Sequence, residues 1–472
     1  MPEILVVDLD HTLLKSDMLF ESFWSAFGQD WRSPFRATLA LGQSKASLKR
    51  YLAEAAQVDV TLLPYDAEVI NYIQSWREAG GRTALVTASD DKIAQDIAAH
   101  LELFDEVHGS DGAENLKGAC KAKFLVETYG EKKFAYMGDS QADLAVWKHA
   151  KRAITVNLST NMKARAAQVA DEVEHLTTHA TTTGAYLKAI RPHQWMKNIL
   201  VFVPMLAAHD ITGTTFFASL LAFISFSLVA SSVYVLNDLL DLDADRAHPR
   251  KRLRPFAAGS IPIASGTWMA GGLLGMGGLI AAFLGPAFFA VMAGYYALTT
   301  GYSLYLKRRI VVDICVLAGL YTVRIVAGGV ANAIPLSVWL LAFSIFFFLS
   351  LAAVKRQAEL VDNVKQGKLK ASGRGYHVDD LPIISMVSIA AGYVAVLVMA
   401  LYVSSPGVMQ LYANPEVLWG VCAVLLYWIT RTVMLTHRGW MHDDPVVYAA
   451  KDRISQVCFL IILGFVLAGA IL

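Results

Sequence analysis

The chain has 472 residues, of which 55% are hydrophobic and 17% are charged, and its formal net charge is +1. These values exclude an ordinary soluble protein. The sequence has no extended basic tract of the kind that would indicate a nucleic-acid partner. The four cysteines lie far apart without a CxxC pair, which argues against a disulfide framework or a zinc site. Residues 1 to about 185 have soluble-domain composition, whereas apolar runs of membrane-spanning length recur from residue 198 onward.

Three short apolar runs in the N-terminal part predict buried parallel strands. Polar residues follow each run: Asp8 and Asp10 come after the first, Thr87 after the second, and Asp139 and Asp143 after the third. In open α/β sheets ligands bind at the carboxyl ends of the strands, so we expect these side chains to share one edge. Helical segments separate the runs, and the fold class of this part is therefore α/β. The runs are 4–7, 84–86 and 134–137.

This series of motifs resembles the haloacid dehalogenase (HAD) superfamily of phosphotransferases, over residues 1–180. The resemblance implies a Rossmann-type parallel sheet with a small helical cap at about 15–80. It also implies that Asp8 attacks phosphorus, that Asp10 is the general acid and base, and that Thr87 binds phosphoryl oxygens. An acid two residues after the nucleophile matches the phosphatases of the superfamily and disfavours dehalogenation.

The same resemblance implies a magnesium site and a lysine beside it. The residues expected at the metal are Asp8, Asp10, Asp139 and Asp143. Lys117, Lys121 and Lys123 are the three candidates for the motif lysine. We favour Lys121, because it opens a predicted helix with Leu125 four residues on, and Lys117 is the alternative.

From residue 198, nine apolar runs predict an all-α transmembrane bundle after a linker at 181–190, with the membrane domain covering 191–472. Lysine and arginine are concentrated in the loops after the second, fourth, sixth and eighth runs. By the positive-inside rule these loops and the N-terminal domain are cytoplasmic, in an inner membrane, and the C-terminus lies outside. The runs are roughly 198–209, 215–238, 265–285, 287–306, 310–332, 335–354, 382–403, 416–436 and 453–472.

An acidic motif ends the second apolar run. Asn237, Asp241 and Asp245 are spaced i, i+4, i+8 and share a helix face, with Asp238 one step around. Carboxylates at the edge of a membrane are costly unless they serve a cation or a reaction. Oxygen ligands of this kind suit Mg²⁺.

The nine runs and the acidic motif resemble the UbiA superfamily of intramembrane prenyltransferases. Arg-Pro-x-Gln-Trp-x-Lys-Asn at 191–198, Tyr-Ser-x-x-Leu-Lys at 302–307 and Lys-Arg-x-x-Glu-Leu at 355–360 resemble its polyprenyl-phosphate phosphoribosyltransferase branch, which includes decaprenyl-phosphate phosphoribosyltransferase. The usual second acidic cluster is incomplete here. The resemblance implies phosphoribosyl diphosphate as donor, a polyprenyl phosphate as acceptor, Mg²⁺ on Asp238, Asp241 and Asp245, and substrate contacts from Asn237, Lys197, Lys307, Arg324, Lys355, Arg356 and Glu359.

Together the two resemblances predict a bifunctional membrane enzyme: the membrane half transfers 5-phosphoribose to the lipid phosphate, and the HAD half removes the 5-phosphate. One alternative is prenyl transfer to an aromatic or other acceptor with an independent phosphatase. Another is a transporter or an anchor for a phosphatase.

Asp313 and Arg324 are eleven residues apart on one helix, too far for a salt bridge. The polar cluster His442, Asp443, Asp444 and Asp452 is interpreted as a solvated loop, with a lid or domain contact as the alternative.

Overall fold

In the computed structural model, residues 3–110, 116–178, 182–369, 374–441 and 444–471 are described. Part of the predicted linker, together with His442 and Asp443, lies outside the described residues. The chain forms two compact units, Met1–Ile190 with Tyr234–Ala270 and Arg191–Val233 with Gly271–Leu472. The segment that carries the acidic motif thus belongs to the same unit as the N-terminal domain, which the predicted boundaries did not anticipate.

The described residues of the N-terminal domain form six strands: β1 (Ile4–Val7), β2 (Arg82–Asp90), β3 (Glu106–Ser110), β4 (Phe134–Gly138), β5 (Arg152–Val156) and β6 (Glu172–Leu176). All pairings are parallel, and the strand order is β3-β2-β1-β4-β5-β6. In β1, Leu5 and Val7 join one hydrophobic cluster while Ile4 and Val6 join another. Both faces of the sheet are therefore buried, which explains the continuous apolar run and confirms the predicted class.

Helices cover the sheet and form a cap. They are α1 (Met18–Gln29), α2 (Ser33–Gln43), α3 (Lys45–Ala55), α4 (Ala67–Glu78), α5 (Asp91–Leu101), α6 (Ala119–Tyr129), α7 (Leu144–Trp147), α8 (Thr160–Val169) and α9 (Thr183–Ile190). The first three are the predicted helical cap, whereas Val69 and Ile73 of α4 pack against the sheet. The predicted linker is helical from Thr183 onward.

The segment Tyr234–Ala270 packs on α1 of the cap. Trp24 shares a hydrophobic cluster with Val235, Leu239 and Phe256. Its indole Nε1 also donates a hydrogen bond to the Thr267 hydroxyl over 3.0 Å. Amphipathic α1 thus buries its aromatic side against this segment rather than against the sheet.

The remaining helices are α10 (Val203–Ala207), α11 (Gly213–Leu240), α12 (Leu242–Arg246), α13 (Ile263–Phe283), α14 (Pro286–Leu304), α15 (Val312–Ala331), α16 (Val338–Lys365), α17 (Leu381–Val403), α18 (Pro406–Leu411), α19 (Trp419–His437), α20 (Pro445–Lys451) and α21 (Arg453–Ile471). Within the described part of the chain, seven helices are long and apolar enough to cross a membrane. Exposed apolar side chains such as Leu279 and Phe283 suit contact with lipid. The protein is a multi-pass membrane protein.

The predicted count of nine spans is not confirmed. The run 198–209 falls on a 3₁₀ helix, Pro192–Phe202, followed by the five-residue α10. Pro204 lacks the amide hydrogen that a longer helix would need there. The run 287–306 does form a helix, the 19-residue α14, but α14 is not among the seven.

Candidate active sites

Three carboxylates and a lysine meet at the carboxyl edge of the sheet. One oxygen each from Asp8, Asp139 and Asp143 lie within 4.8 Å of one another. Lys121 Nζ, which is buried, lies 2.9 Å from Asp8 Oδ1 and 3.0 Å from the Tyr136 hydroxyl. Lys117, the alternative motif lysine, is exposed. Of the three predicted candidates, the structure brings Lys121 to the Asp8 carboxylate.

Strand register explains why these side chains meet. β1 and β4 are neighbours with Val7 opposite Met137, so the residues that follow each strand emerge side by side. The amide of Asp8 also donates to the Met137 carbonyl over 3.0 Å. A Cβ on Gly138 would lie 2.8 Å from the Asp143 carboxyl carbon, closer than a real side chain approaches. Glycine at this position therefore allows Asp143 to close the group.

The carboxylate of Asp10 lies outside the three-carboxylate group. Its two oxygens accept hydrogen bonds from the Met18 amide over 2.8 Å and from the Ser89 hydroxyl over 2.9 Å. Burial, followed by the nearby Asp17 carboxylate, raises the pKa of Asp10 to about 7. The structure thus separates Asp10 from the other predicted metal residues and directs it toward the cap and β2.

Thr87 lies on β2, which pairs with β1, and is fully buried. Its hydroxyl accepts a hydrogen bond from the Ser89 amide over 3.0 Å. A cap lysine that the sequence gave no reason to single out lies nearby: Lys49 Nζ of α3 donates to the Ala88 carbonyl over 2.6 Å. Burial lowers the pKa of Lys49. The cap thus adds a cation beside the end of β2.

The donor set at the sheet edge fits a divalent cation. Three carboxylates face one lysine, so negative charge is in excess, and oxygen donors are those that Mg²⁺ prefers. Burial, followed by the Asp143 and Asp8 carboxylates, raises the pKa of Asp139 to about 8. Such crowded buried carboxylates repel one another unless a cation joins them.

The acidic motif spans the end of α11 and the short α12. Helical hydrogen bonds continue through the break, from the Asp241 amide to the Asn237 carbonyl over 3.0 Å and from the Asp245 amide to the Asp241 carbonyl over 2.8 Å. The predicted common face is thereby largely kept.

Two carboxylates of the motif converge on one cationic nitrogen. Arg254 Nη1 lies 3.1 Å from Asp238 Oδ1 and 2.5 Å from Asp245 Oδ2. Asp245 Oδ1 is buried and makes no hydrogen bond to any described residue, although Lys251 Nζ lies 3.9 Å away. This buried carboxylate oxygen is a donor of the kind that Mg²⁺ prefers, so the motif fits that ion.

A buried ion pair connects the cap to the helix of Asp245. Arg246 of α12 donates from both terminal nitrogens to Glu21 of α1, over 2.6 and 3.1 Å. The two side chains are 4% and 3% exposed. Sequence reasoning missed this pair, because the partners are 225 residues apart.

In the second unit, two lysines share one buried aspartate. Lys197 Nζ and Lys355 Nζ lie 2.7 and 3.0 Å from Asp444 Oδ2, and the Tyr321 hydroxyl donates to Asp444 Oδ1 over 3.1 Å. Burial alone would raise the pKa of Asp444, but Lys355 and Lys197 outweigh it and hold the pKa well below its usual range. Asp444 is thus part of a charged cluster rather than a solvated loop residue.

A second buried charge cluster surrounds Asp313. Its Oδ2 lies 2.6 Å from Arg356 Nη2 and 3.3 Å from Arg374 Nη1. Glu359 pairs with the same two arginines. Its Oε2 lies 3.2 Å from Arg374 Nε and also contacts Arg356 Nη1. The Tyr376 hydroxyl donates to Asp313 Oδ1 over 2.7 Å. Arg374 was not a predicted site residue.

The two remaining predicted basic residues lie elsewhere. Arg324 Nε donates to Asn198 Oδ1 over 2.8 Å, and its Nη2 donates to the Tyr295 hydroxyl over 3.1 Å. Its described partners do not include Asp313, in agreement with the spacing argument. Lys307 lies half-buried in the 3₁₀ helix Leu306–Arg308.

Two protein families match the chain. The UbiA prenyltransferase family model matches residues 199–467, and the haloacid dehalogenase-like hydrolase model matches residues 5–148. The chain therefore belongs to the UbiA prenyltransferase family and carries a HAD-like hydrolase domain at its N-terminus. Both predicted resemblances are confirmed. The protein is an enzyme with a transferase domain and a phosphatase domain, and Mg²⁺ dependence is typical of both families.

One relative matches nearly the whole chain, and two others match somewhat more than half of it. Uncharacterized protein y4nM of Sinorhizobium fredii is 37% identical over 98% of this chain and 90% of its own length. Nodulation protein NoeC of Azorhizobium caulinodans is 42% identical over 58% of this chain and 90% of its own length. Decaprenyl-phosphate phosphoribosyltransferase of Mycolicibacterium smegmatis is 36% identical over 59% of this chain and 90% of its own length.

Proposed function

We propose that the membrane half transfers 5-phosphoribose from phosphoribosyl diphosphate to a polyprenyl phosphate, and that the HAD half then removes the 5-phosphate. The similarity of the chain to decaprenyl-phosphate phosphoribosyltransferase, together with the UbiA match over residues 199–467, supports the first step. The observation that carries the coupling of the steps is the packing of Tyr234–Ala270, with its acidic motif, into one compact unit with the HAD domain. Both active sites lie on the cytoplasmic side of an inner membrane in this proposal.

In the transfer step, an oxygen of the lipid phosphate bonds to ribose C1 while the bond from C1 to the diphosphate oxygen breaks. Diphosphate leaves with the electron pair. Asp238, Asp241 and Asp245, with Asn237, would hold the Mg²⁺ that accompanies the donor diphosphate. Lys197, Lys307, Arg324, Lys355 and Arg356 orient phosphate groups through charge-assisted hydrogen bonds. Glu359 fixes Arg356 and Arg374, with which it pairs.

In the hydrolysis step, a carboxylate oxygen of Asp8 attacks phosphorus and the bond to ribose O5 breaks. Asp10 protonates O5, then accepts a proton from the water that hydrolyses the aspartyl phosphate and releases phosphate. Thr87 and Lys121 orient the phosphoryl group. Asp8, Asp139 and Asp143 would hold Mg²⁺, while Asp10 keeps its place beside Ser89 and the cap. At both sites the bound ion would supply positive charge against phosphoryl or diphosphate oxygens.

The test follows two products separately in the purified full-length protein. With phosphoribosyl diphosphate, polyprenyl phosphate and Mg²⁺, the wild type should release diphosphate and phosphate in equal amounts and form a pentosyl lipid detectable by mass spectrometry. Asp8→Asn should release diphosphate alone and accumulate the phosphorylated lipid. Asp241→Asn should abolish diphosphate release, yet still dephosphorylate the lipid made by Asp8→Asn.

Two aspartates with exposed side chains provide control variants for this experiment. Asp96→Asn, on the exposed face of α5, and Asp243→Asn, which lies inside the motif but is 43% exposed, should behave as the wild type. Absence of a pentosyl lipid would overturn the proposed transfer. Prenylation of an aromatic acceptor from a prenyl diphosphate would instead establish the alternative transferase. An Asp8→Asn product of wild-type mass would overturn the coupling.

A further inference from the structure

A cavity of about 270 Å³ opens beside the three-carboxylate group of the HAD domain. Asp139 belongs to both the group and the cavity wall. His11 and Lys15, which follow the nucleophile in sequence, form another part of the wall. The cavity is therefore a continuation of the phosphatase site rather than a separate pocket.

Another part of the wall comes from the segment that follows the acidic motif. Gly259 and Pro262 line the cavity, and they belong to the same compact unit as the HAD domain. Gly259 has φ +67°, and a Cβ there would lie 2.7 Å from Lys15 Cβ. Only glycine permits this approach, so the backbone at Gly259 packs directly against the Lys15 side chain.

The cavity wall includes a lysine, Lys15, whose ammonium group is not paired with any described residue. Lys121 is paired with Asp8 and Lys49 donates to a carbonyl, but Lys15 Nζ has no hydrogen bond or ion pair with any described residue. Lys15 is only partly exposed. A half-buried ammonium group next to a reaction centre for phosphate is well suited to an anion of the substrate.

We propose that this cavity is the subsite for a second phosphate of the substrate, the phosphodiester that joins the sugar to the lipid, and that Lys15 binds it. The inference rests on the proposed function, whose intermediate carries a 5-phosphate for Asp8 and a phosphodiester at C1. At about 270 Å³ the cavity is slightly smaller than typical ligand pockets, which measure about 300–1,000 Å³. It accommodates the phosphosugar and leaves the lipid chain outside.

The test compares two substrates of the full-length protein, ribose 5-phosphate and farnesyl-phosphoryl 5-phosphoribose. Only the second carries the phosphodiester. In Lys15→Met, the ratio of kcat/KM for the diester to kcat/KM for ribose 5-phosphate should fall about tenfold or more, as expected for the loss of one charge-assisted hydrogen bond. The loss should lie in KM. Lys15→Arg should recover most of it.

Controls separate this inference from the function on which it rests. Lys92→Met removes an exposed lysine of α5 and should leave the substrate ratio unchanged. Gly259→Val, which brings a side chain against Lys15, should lower the ratio as Lys15→Met does. An unchanged ratio in Lys15→Met, in a wild-type background that hydrolyses both substrates, overturns the subsite. A wild type that hydrolyses neither substrate overturns the phosphatase function itself.

Discussion

The buried pair between Glu21 and Arg246 should hold α12, the helix of Asp245, against the cap. Removing one partner of a buried ion pair leaves an uncompensated charge and costs about 3–5 kcal/mol. Arg246 Nε keeps a 3.3 Å hydrogen bond to the Ala257 carbonyl, and Asp243 lies 3.9 Å away. We therefore expect the lower figure, about 3 kcal/mol, for Glu21→Leu. That corresponds to about a hundredfold faster amide exchange by local opening at 242–246.

Hydrogen exchange measured by mass spectrometry on the detergent-solubilised protein checks this prediction. Arg246→Leu should give a loss of similar size because it strands the Glu21 carboxylate. The double variant Glu21→Leu/Arg246→Leu should recover most of the protection, since an apolar pair of similar volume is often neutral in such a site. Arg36→Leu, which removes a partner of the exposed Asp30 pair, is the control. If the two single losses simply add in the double variant, the side chains are not coupled and the reasoning is wrong.

Three further predictions concern the two active sites. Burial and Lys355 lower the pKa of Lys197 to about 8. Lys197 should therefore lose its positive charge as the pH rises through that value, and the KM for phosphoribosyl diphosphate should rise above pH 8. A KM that is flat to about pH 10, near the ordinary lysine pKa, would contradict this. Gly138→Ala should lower phosphate release at least about tenfold while diphosphate release continues, because its Cβ would displace Asp143; equal loss of both products would indicate general misfolding. Chelation of divalent cations should stop both reactions and added Mg²⁺ should restore them, and turnover in excess chelator would exclude the metal role of either acidic group.

Local sequence patterns were sufficient for the parallel sheet and for most of the membrane helices. The run Ile4–Val7 followed by Asp8 identified both a buried strand and the place where its carboxylate emerges. Hydropathy was less reliable at the first predicted span, where the backbone is a 3₁₀ helix that continues into α10. An apolar run indicates burial or contact with lipid, but it does not specify helix type or length.

The sequence by itself determined the two domains, the order of the HAD motifs and the position of the acidic motif, because strand ends and helix faces follow from spacing along the chain. Tertiary structure decided which lysine reaches Asp8, that Asp444 pairs with two lysines, and that Glu21 meets Arg246. Those partners are 89 to 247 residues apart. Only the packing of the folded chain brings such groups together, since no periodicity along the sequence records which distant charge will neutralise another.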